Sequence, residues 1–377
     1  MTSRIKQNVR VAAVARLFAL GTAAMLVSAA TAVAEPPEMK MTTEIPANIL
    51  TPQSVETRIG TLNFFDGFPD DATTEKVYEH LDFMRGVEAF LTAIPGASVE
   101  AIRRGMASQG VKDHRTVLIF EELMDSRSLF LTPNTETVYS MTWLDVRDGP
   151  LVIESPPNIL GIIDDHWFQY VADIGNAGAD RGKGGKYLLV GPDYQGDIPD
   201  GYHVLRTRTY GNLYLWRGFI VDGSTSTAVE NAKKFARIYR LSEAANPPPM
   251  RFLDVSGKHF NTIHANDFDF YREIDEVVQY EPGEAYHPEA MGVLASIGIV
   301  KGKPFAPDER MKKILVDAIA VGNATARAIT FRPRLEGTYF YPGSAWYTAF
   351  IGGDYQFLLQ PGVRNLDART LFHYYAT

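Results

Sequence analysis

The chain has 377 residues, a net charge of −8 and no cysteine. Its length implies more than one core of ordinary domain size, and its acidic balance speaks against nucleic acid or anionic membrane as partners. The lack of cysteine excludes disulfide staples, thiol nucleophiles, cysteine zinc sites and thioether haem attachment, so stability has to come from burial.

In chain order, Arg4, Lys6, Arg10 and Arg16 come first, then an apolar run from Leu17 to Ala30, then Ala32-Val33-Ala34. Basic, apolar and small-residue segments in that order predict a secretory signal peptide over residues 1–34, cleaved after Ala34. Gly21, Thr22 and Ser28 interrupt the run, which falls short of the ~20 residues a bilayer span needs. Cleavage leaves 343 residues and removes four positive charges, taking the net charge from −8 to −12. The expected product is soluble, periplasmic or secreted, with no membrane span.

Residues 35–112 read as a Pro- and Thr-rich lead-in and a helical hairpin. Val77, Leu81, Met84, Val87, Leu91 and Ile94 recur every three or four residues. Pro95-Gly96 is expected to stop that helix, and Ser98 to cap a second one that ends at Gly110. Between 113 and 223 the texture changes to short strands separated by turn residues: 116–120, 128–131, 137–146, 151–154, 167–174, 186–190, 203–209 and 213–222. That spacing without intervening helices predicts an antiparallel sandwich or barrel, here taken as a β-sandwich. Residues 224–335 read as a helical domain: Thr227-x-x-Glu230 has capping-box form for a helix to about Leu241, Asn266 suits a cap, and Pro288 and Pro307 suit first helical positions. From 336 to 377 the chain turns β-like and aromatic, and stops at Leu371-Phe372-His373-Tyr374-Tyr375-Ala376-Thr377 as if interrupted. The fold class is therefore mixed α and β, multidomain.

Chemistry-bearing residues are sparse. Gly182-Lys183-Gly184-Gly185-Lys186 lacks phosphate-loop spacing and reads as a solvated hairpin loop. No G-x-S-x-G or H-E-x-x-H occurs, and His264 with Asp267 and Asp269 reads more simply as helix-start chemistry, so no metal or cofactor is expected. Asp164, Asp165 and His166 form the best catalytic candidate, because neighbouring carboxylates fix an imidazole tautomer and raise its basicity; turn chemistry before the aromatic strand is the plainer reading. Asn134, Glu136, Tyr139, Trp143, Asp173 and Asn176 are candidate ligand-binding residues at strand ends, set against an Asx turn and core aromatics.

Several stretches together resemble a bacterial family, the domain-of-unknown-function 1254 family. They are Val55-Glu56-Thr57-Arg58-Ile59-Gly60, Leu81-Asp82-Phe83-Met84-Arg85, Asn134-Thr135-Glu136-Thr137-Val138-Tyr139, the segment from 164 to 176, Gly182-Lys183-Gly184-Gly185-Lys186, His264-Ala265-Asn266-Asp267-Phe268 and Tyr341-Pro342-Gly343-Ser344-Ala345-Trp346. The resemblance implies a β-sandwich, a helical domain, and a C-terminal jelly-roll-like β domain of a partner family numbered 1214. Only the start of that last domain falls within this sequence, so the resemblance implies a truncated or split product. No catalytic residue carries over from it.

Three functions remain open at this stage. The first is a small-molecule or glycan binder using a crevice between sandwich and helical domain, where such pockets form. The second is a periplasmic hydrolase or lyase using Asp164, Asp165 and His166. The third is a structural or assembly protein, self-associating or paired with a separate chain that supplies the missing domain.

Overall fold

The computed structural model describes residues 43–130 and 133–375; the expected signal peptide and cleavage site lie outside the described residues. The described chain divides into a small unit, drawn from residues before 58 and from 61–70, and a larger unit holding almost everything after Asp71. The small unit is a three-stranded sheet of β1 (Ser54–Thr57), β2 (Gly60–Phe65) and β3 (Phe68–Pro69). Asp66 and Gly67, with φ of 49° and 85°, close β2 onto β3 as the left-handed pair a two-residue hairpin needs.

The larger unit opens with α1 (Asp71–Ser108), one helix of 38 residues that runs straight through Pro95. The expected hairpin is thus a single helix. Pro95 forfeits one backbone hydrogen bond, but the stretch from Ala93 to Ile102 is buried, and that burial outweighs the loss. Gly96 is there for close packing: a Cβ would lie 2.6 Å from the Trp167 ring, which in turn stacks on Tyr286 at 4.3 Å. Ser98 caps nothing; inside the helix, its hydroxyl donates to the His373 carbonyl at 3.3 Å.

The strands follow: β4 (Thr116–Ile119), β5 (Ser128–Leu129), β6 (Thr137–Asp145), β7 (Leu151–Glu154), β8 (Ile159–Asp165), β9 (Tyr170–Gly175), β10 (Lys186–Val190), β11 (His203–Arg206) and β12 (Gly211–Phe219). After them come α2 (Ser226–Phe235), β13 (Arg237–Arg240), β14 (Arg251–Asp254) and β15 (Phe260–Asn261). Then come α3 (Asp269–Tyr280), α4 (Pro288–Ser296), α5 (Glu309–Phe331), β16 (Leu358–Gln360), β17 (Val363–Arg364) and α6 (Leu366–Tyr375).

Six strands form one mixed sheet in the order β14-β4-β6-β12-β8-β9, and four form another in the order β11-β10-β7-β13. The β4–β14 and β10–β11 pairs are parallel, not antiparallel as expected. One apolar core joins the sheets face to face, with Leu144, Ile163, Tyr214 and Trp216 from the first and Ile153, Tyr187, Leu189 and Ile238 from the second. On its other face the six-stranded sheet presents Tyr139, Met141 and Leu213 to Val99, Ile102 and Met106 of α1. The period-two alternation along β6 produces these two opposite faces. Farther up α1, Phe90, Ala93, Ile94 and Ala97 share a helical core with Ile274, Val277, Leu294, Leu315 and Ile319.

Several sequence expectations change at the level of elements. The helix expected to reach Leu241 stops at Phe235, because Ile238 and Tyr239 are buried as a strand against β7. Ile159–Asp165, unassigned from sequence, is an inner strand of the larger sheet. Pro288 does open α4, whereas α5 starts after Pro307, with Asp308 as N-cap accepting from the Met311 N–H at 2.7 Å. The C-terminal aromatic segment is helical within α6, which buries Ala368, Leu371 and His373. Among the described residues α5 is long and apolar enough by composition to cross a bilayer, and here it packs along α1, with Gly86 facing Ala318 and Gly322 facing Phe90.

Candidate functional site

The end of β8 delivers Asp164, Asp165 and His166 to the seam between the six-stranded sheet and the helices. All three are buried, with His166 fully inaccessible. The carboxylates on the imidazole are not its sequence neighbours. Nδ1 lies 2.7 Å from Glu281 Oε1, just past α3, and Nε2 lies 3.1 Å from Glu100 Oε2 on α1. Glu281 also accepts the Tyr210 and Gly211 N–H groups, at 2.5 and 3.0 Å. Glu100 is gripped by Arg103 through two 2.7 Å bonds and by Arg104 at 3.0 Å; Arg104 reaches on to Glu273 and Glu276.

Burial alone would push the His166 imidazole down, but its bonds to Glu100 and Glu281 outweigh that and hold it above the ordinary histidine value. Burial likewise opposes the Glu100 charge, yet His166 and Arg103 bring this carboxyl down to about 2. Trp143 and Tyr280 pack T-shaped with the imidazole, with centroids at 4.8 and 5.6 Å. Tyr280 donates to Asp145 at 2.7 Å beneath the Arg147 guanidinium. Trp143, a ligand-binding candidate from sequence, is therefore a wall of this network. Gly211 makes room for it, since a Cβ there would sit 2.2 Å from the indole.

Asp165 turns back on its own loop and accepts the Trp167 and Gln169 N–H groups at 2.9 and 2.8 Å. Phe168, between them, is held at a φ of 51°, and Arg369 of α6 donates to its carbonyl at 3.2 Å. Asp164 is different: it is 3% exposed, and among the described residues no donor meets its carboxylate. Burial first, then the neighbouring Asp165 charge, push the Asp164 carboxyl up to about 7. Burial pushes Asp165 up to about 6 against its backbone donors.

The remaining candidates fall elsewhere. Asn134 makes the Asx turn, accepting from Glu136 N–H at 3.0 Å and Thr137 hydroxyl at 2.8 Å while donating to Tyr139 hydroxyl at 3.2 Å. Asp173 accepts from the Tyr170 hydroxyl at 3.0 Å, and Asn176 sits over Gly182. Strand pairing places the start of β6 and the end of β9 at one end of the sheet, and Trp143 and Asp164–His166 at the other. The catalytic and ligand-binding candidates therefore do not form one pocket. Among the described residues no set of three His, Asp or Glu is placed to hold a metal ion.

Sequence reasoning missed Glu100, Arg103, Arg104 and Glu281. A charged Glu100 amid Ala97, Val99, Ala101 and Ile102 was the available signal, since a charge on the buried stripe of a helix calls for a partner. Open space lies on the outer face of the helices, as a groove of about 300 Å³ lined by Lys76, Glu79, His80 and Phe83 of α1 and Ile314 and Asp317 of α5.

No curated protein matches this chain. Its fold is similar to that of the VPA0106 protein from Vibrio parahaemolyticus, with a TM-score of 0.51 and 16% identity over 78% of this chain and 66% of that one. Residues 116–242 match the family model described as protein of unknown function, DUF1254. That span holds the Asn134–Tyr139, 164–176 and Gly182–Lys186 stretches, and it includes both sheets' central strands together with Asp164, Asp165 and His166. The matched family is the one that the chain's motifs resemble, and the match spans residues 116–242.

Proposed function

We propose that the chain is exported to the cell envelope and binds a small polar molecule or glycan there. The leader-like segment 1–34 supports export. The groove between α1 and α5 carries the binding reading, because its volume of about 300 Å³ suits a small ligand. Phe83 offers an apolar surface for a sugar-ring face, while Lys76, Glu79, His80 and Asp317 offer donors and acceptors of both signs to hydroxyl edges. The seam between sheet and helices, where a crevice was expected from sequence, is instead filled by the His166 network. The two face-to-face sheets are, in this reading, the β-sandwich of the family.

The test is a thermal-shift screen of the exported protein against mono- and oligosaccharides and small zwitterions, followed by calorimetric titration of any hit. A ligand at a hundred times its Kd adds about 2.7 kcal/mol of stability, several degrees in Tm. Phe83→Ala and Asp317→Ala should abolish that rise with little change in the unliganded Tm. Ligand binding that survives both substitutions would place the site elsewhere.

The acid–base enzyme reading keeps one observation in its favour, the buried Asp164, whose carboxyl burial pushes up to about 7. In that reading Asp164, not His166, is the proton-transferring group, since both His166 nitrogens are already engaged.

A further inference from the structure

An imidazole ties the six-stranded sheet to the helices, and its geometry constrains its protonation. Both ring nitrogens of His166 face carboxylate oxygens, at 2.7 and 3.1 Å. A neutral imidazole has one N–H and one bare lone pair, so one of those contacts would set lone pair against lone pair. Only the imidazolium donates to both Glu281 and Glu100.

We propose that His166 is a proton-operated latch between the sheet and α1, closed as the imidazolium and released at Glu100 when the ring gives its proton to solvent. The two arms are unequal. The contact to Glu281 is the shorter, and the neutral ring keeps its N–H there, on Nδ1. Its bare Nε2 then confronts Glu100, which Arg103 and Arg104 hold on the helix side. Opening therefore separates α1 from the sheet and leaves the α3 end attached.

Other charged and titratable groups set the pH at which this happens. Glu100, Arg103 and Arg104 face the ring's surroundings from α1, and Glu273, Glu276, Tyr280 and Glu281 from α3 and its end. Asp145 and Arg147 at the end of β6 meet Tyr280, and Asp165 adjoins His166 at the end of β8. Carboxylates predominate, so the latch holds its proton through the ordinary histidine range and opens on its alkaline side.

The experiment follows the His166 ring nitrogens by NMR in the full chain from pH 5 to 9, with amide exchange of residues 97–106 over the same range. The ring should titrate once, above the ordinary histidine value. Exchange of those amides, corrected for its intrinsic pH dependence, should speed up about tenfold over the same interval, as loss of a charge-assisted bond implies. Glu100→Gln should lower the midpoint and carry the exchange onset with it; His166→Gln should fix the fast-exchanging state at every pH. The proposal fails if the ring titrates without a change in exchange, if it keeps its proton at pH 9, or if Glu100→Gln leaves the midpoint unmoved. Should His166→Gln not fold, the wild-type and Glu100→Gln titrations decide the matter.

Discussion

Asp164 puts a carboxyl where burial leaves its charge little water, and this sets the direction of its own pH response. Its folded value is about 7, above the ordinary carboxylate range. The folded state therefore binds a proton that the unfolded chain releases near pH 4, so this group's contribution is complete below about pH 4 and lost as pH rises towards 7. Asp165, at about 6, and Glu273, pushed by burial up to about 7, act in the same sense. The protonated His166 adds to it. Burial holds His114, His264 and His373 below the ordinary histidine value, and these act in the opposite sense. Asp164→Asn, which removes the Asp164 contribution alone, should lower stability at pH 5 relative to pH 8, by a few kcal/mol at most. Scanning calorimetry of both proteins at the two pH values checks this; an unchanged difference would mean that Asp164 is solvated in the folded state. The sequence pointed to this place through three adjacent polar residues, yet assigned the wrong partners. Glu100 and Glu281 lie 66 and 115 residues from His166, and pairing over such distances leaves no local trace.

For whole elements, local rules worked wherever burial agreed with them. The strands expected at 137–146 and 151–154 and the helix start at Pro288 all reappear, in β6, β7 and α4. They failed where tertiary packing prevailed. Pro95-Gly96 has the form of a stop signal, but Trp167 needs a flat, Cβ-free patch of helix to lie on. Gly96→Val would press a branched side chain into that ring, where even a bare Cβ would lie 2.6 Å from it. Overpacking of this kind costs typically 1–3 kcal/mol. A fall in Tm of several degrees is expected, with altered near-ultraviolet ellipticity from the displaced indole. Gly96→Val at wild-type stability would show that Trp167 can move aside without loss. Residues 237–240 and the aromatic segment in α6 were misassigned for the same reason: pairing with β7 and packing on α1 and α5 decided their conformation.

Taken whole, the larger unit is three layers, four strands on six strands on helices, with α1 crossing from the helical core to the sheet. The C-terminal part contributes Phe357 and Leu371 to a small core of its own but leaves Phe340, Tyr341 and Trp346 between 60% and 74% exposed. Aromatic surface of this kind favours association, at ~25 cal/mol per Å² removed from water. Size-exclusion chromatography of the protein should show a second copy held through this face. Phe340→Ser with Trp346→Ser should return a monomer, and limited proteolysis of that monomer should cut within 336–365 before it cuts the sheets. A wild-type monomer whose last forty residues resist protease as well as its strands do would contradict this.

The crossing of α1 also fixes an order of events during synthesis. This helix is about 57 Å long and leaves the ribosome before any strand of either large sheet, yet Ile274, Leu315 and Ile319, which cover its middle turns, come some 180 to 230 residues later. Until they arrive, Phe90, Ala93 and Ile94 have no lasting cover. Contacts closed over such separations form slowly. A nascent chain that stays uncommitted until nearly its whole length has emerged keeps its apolar helix exposed for as long as it waits, which suits the export proposed above and calls for a holding chaperone.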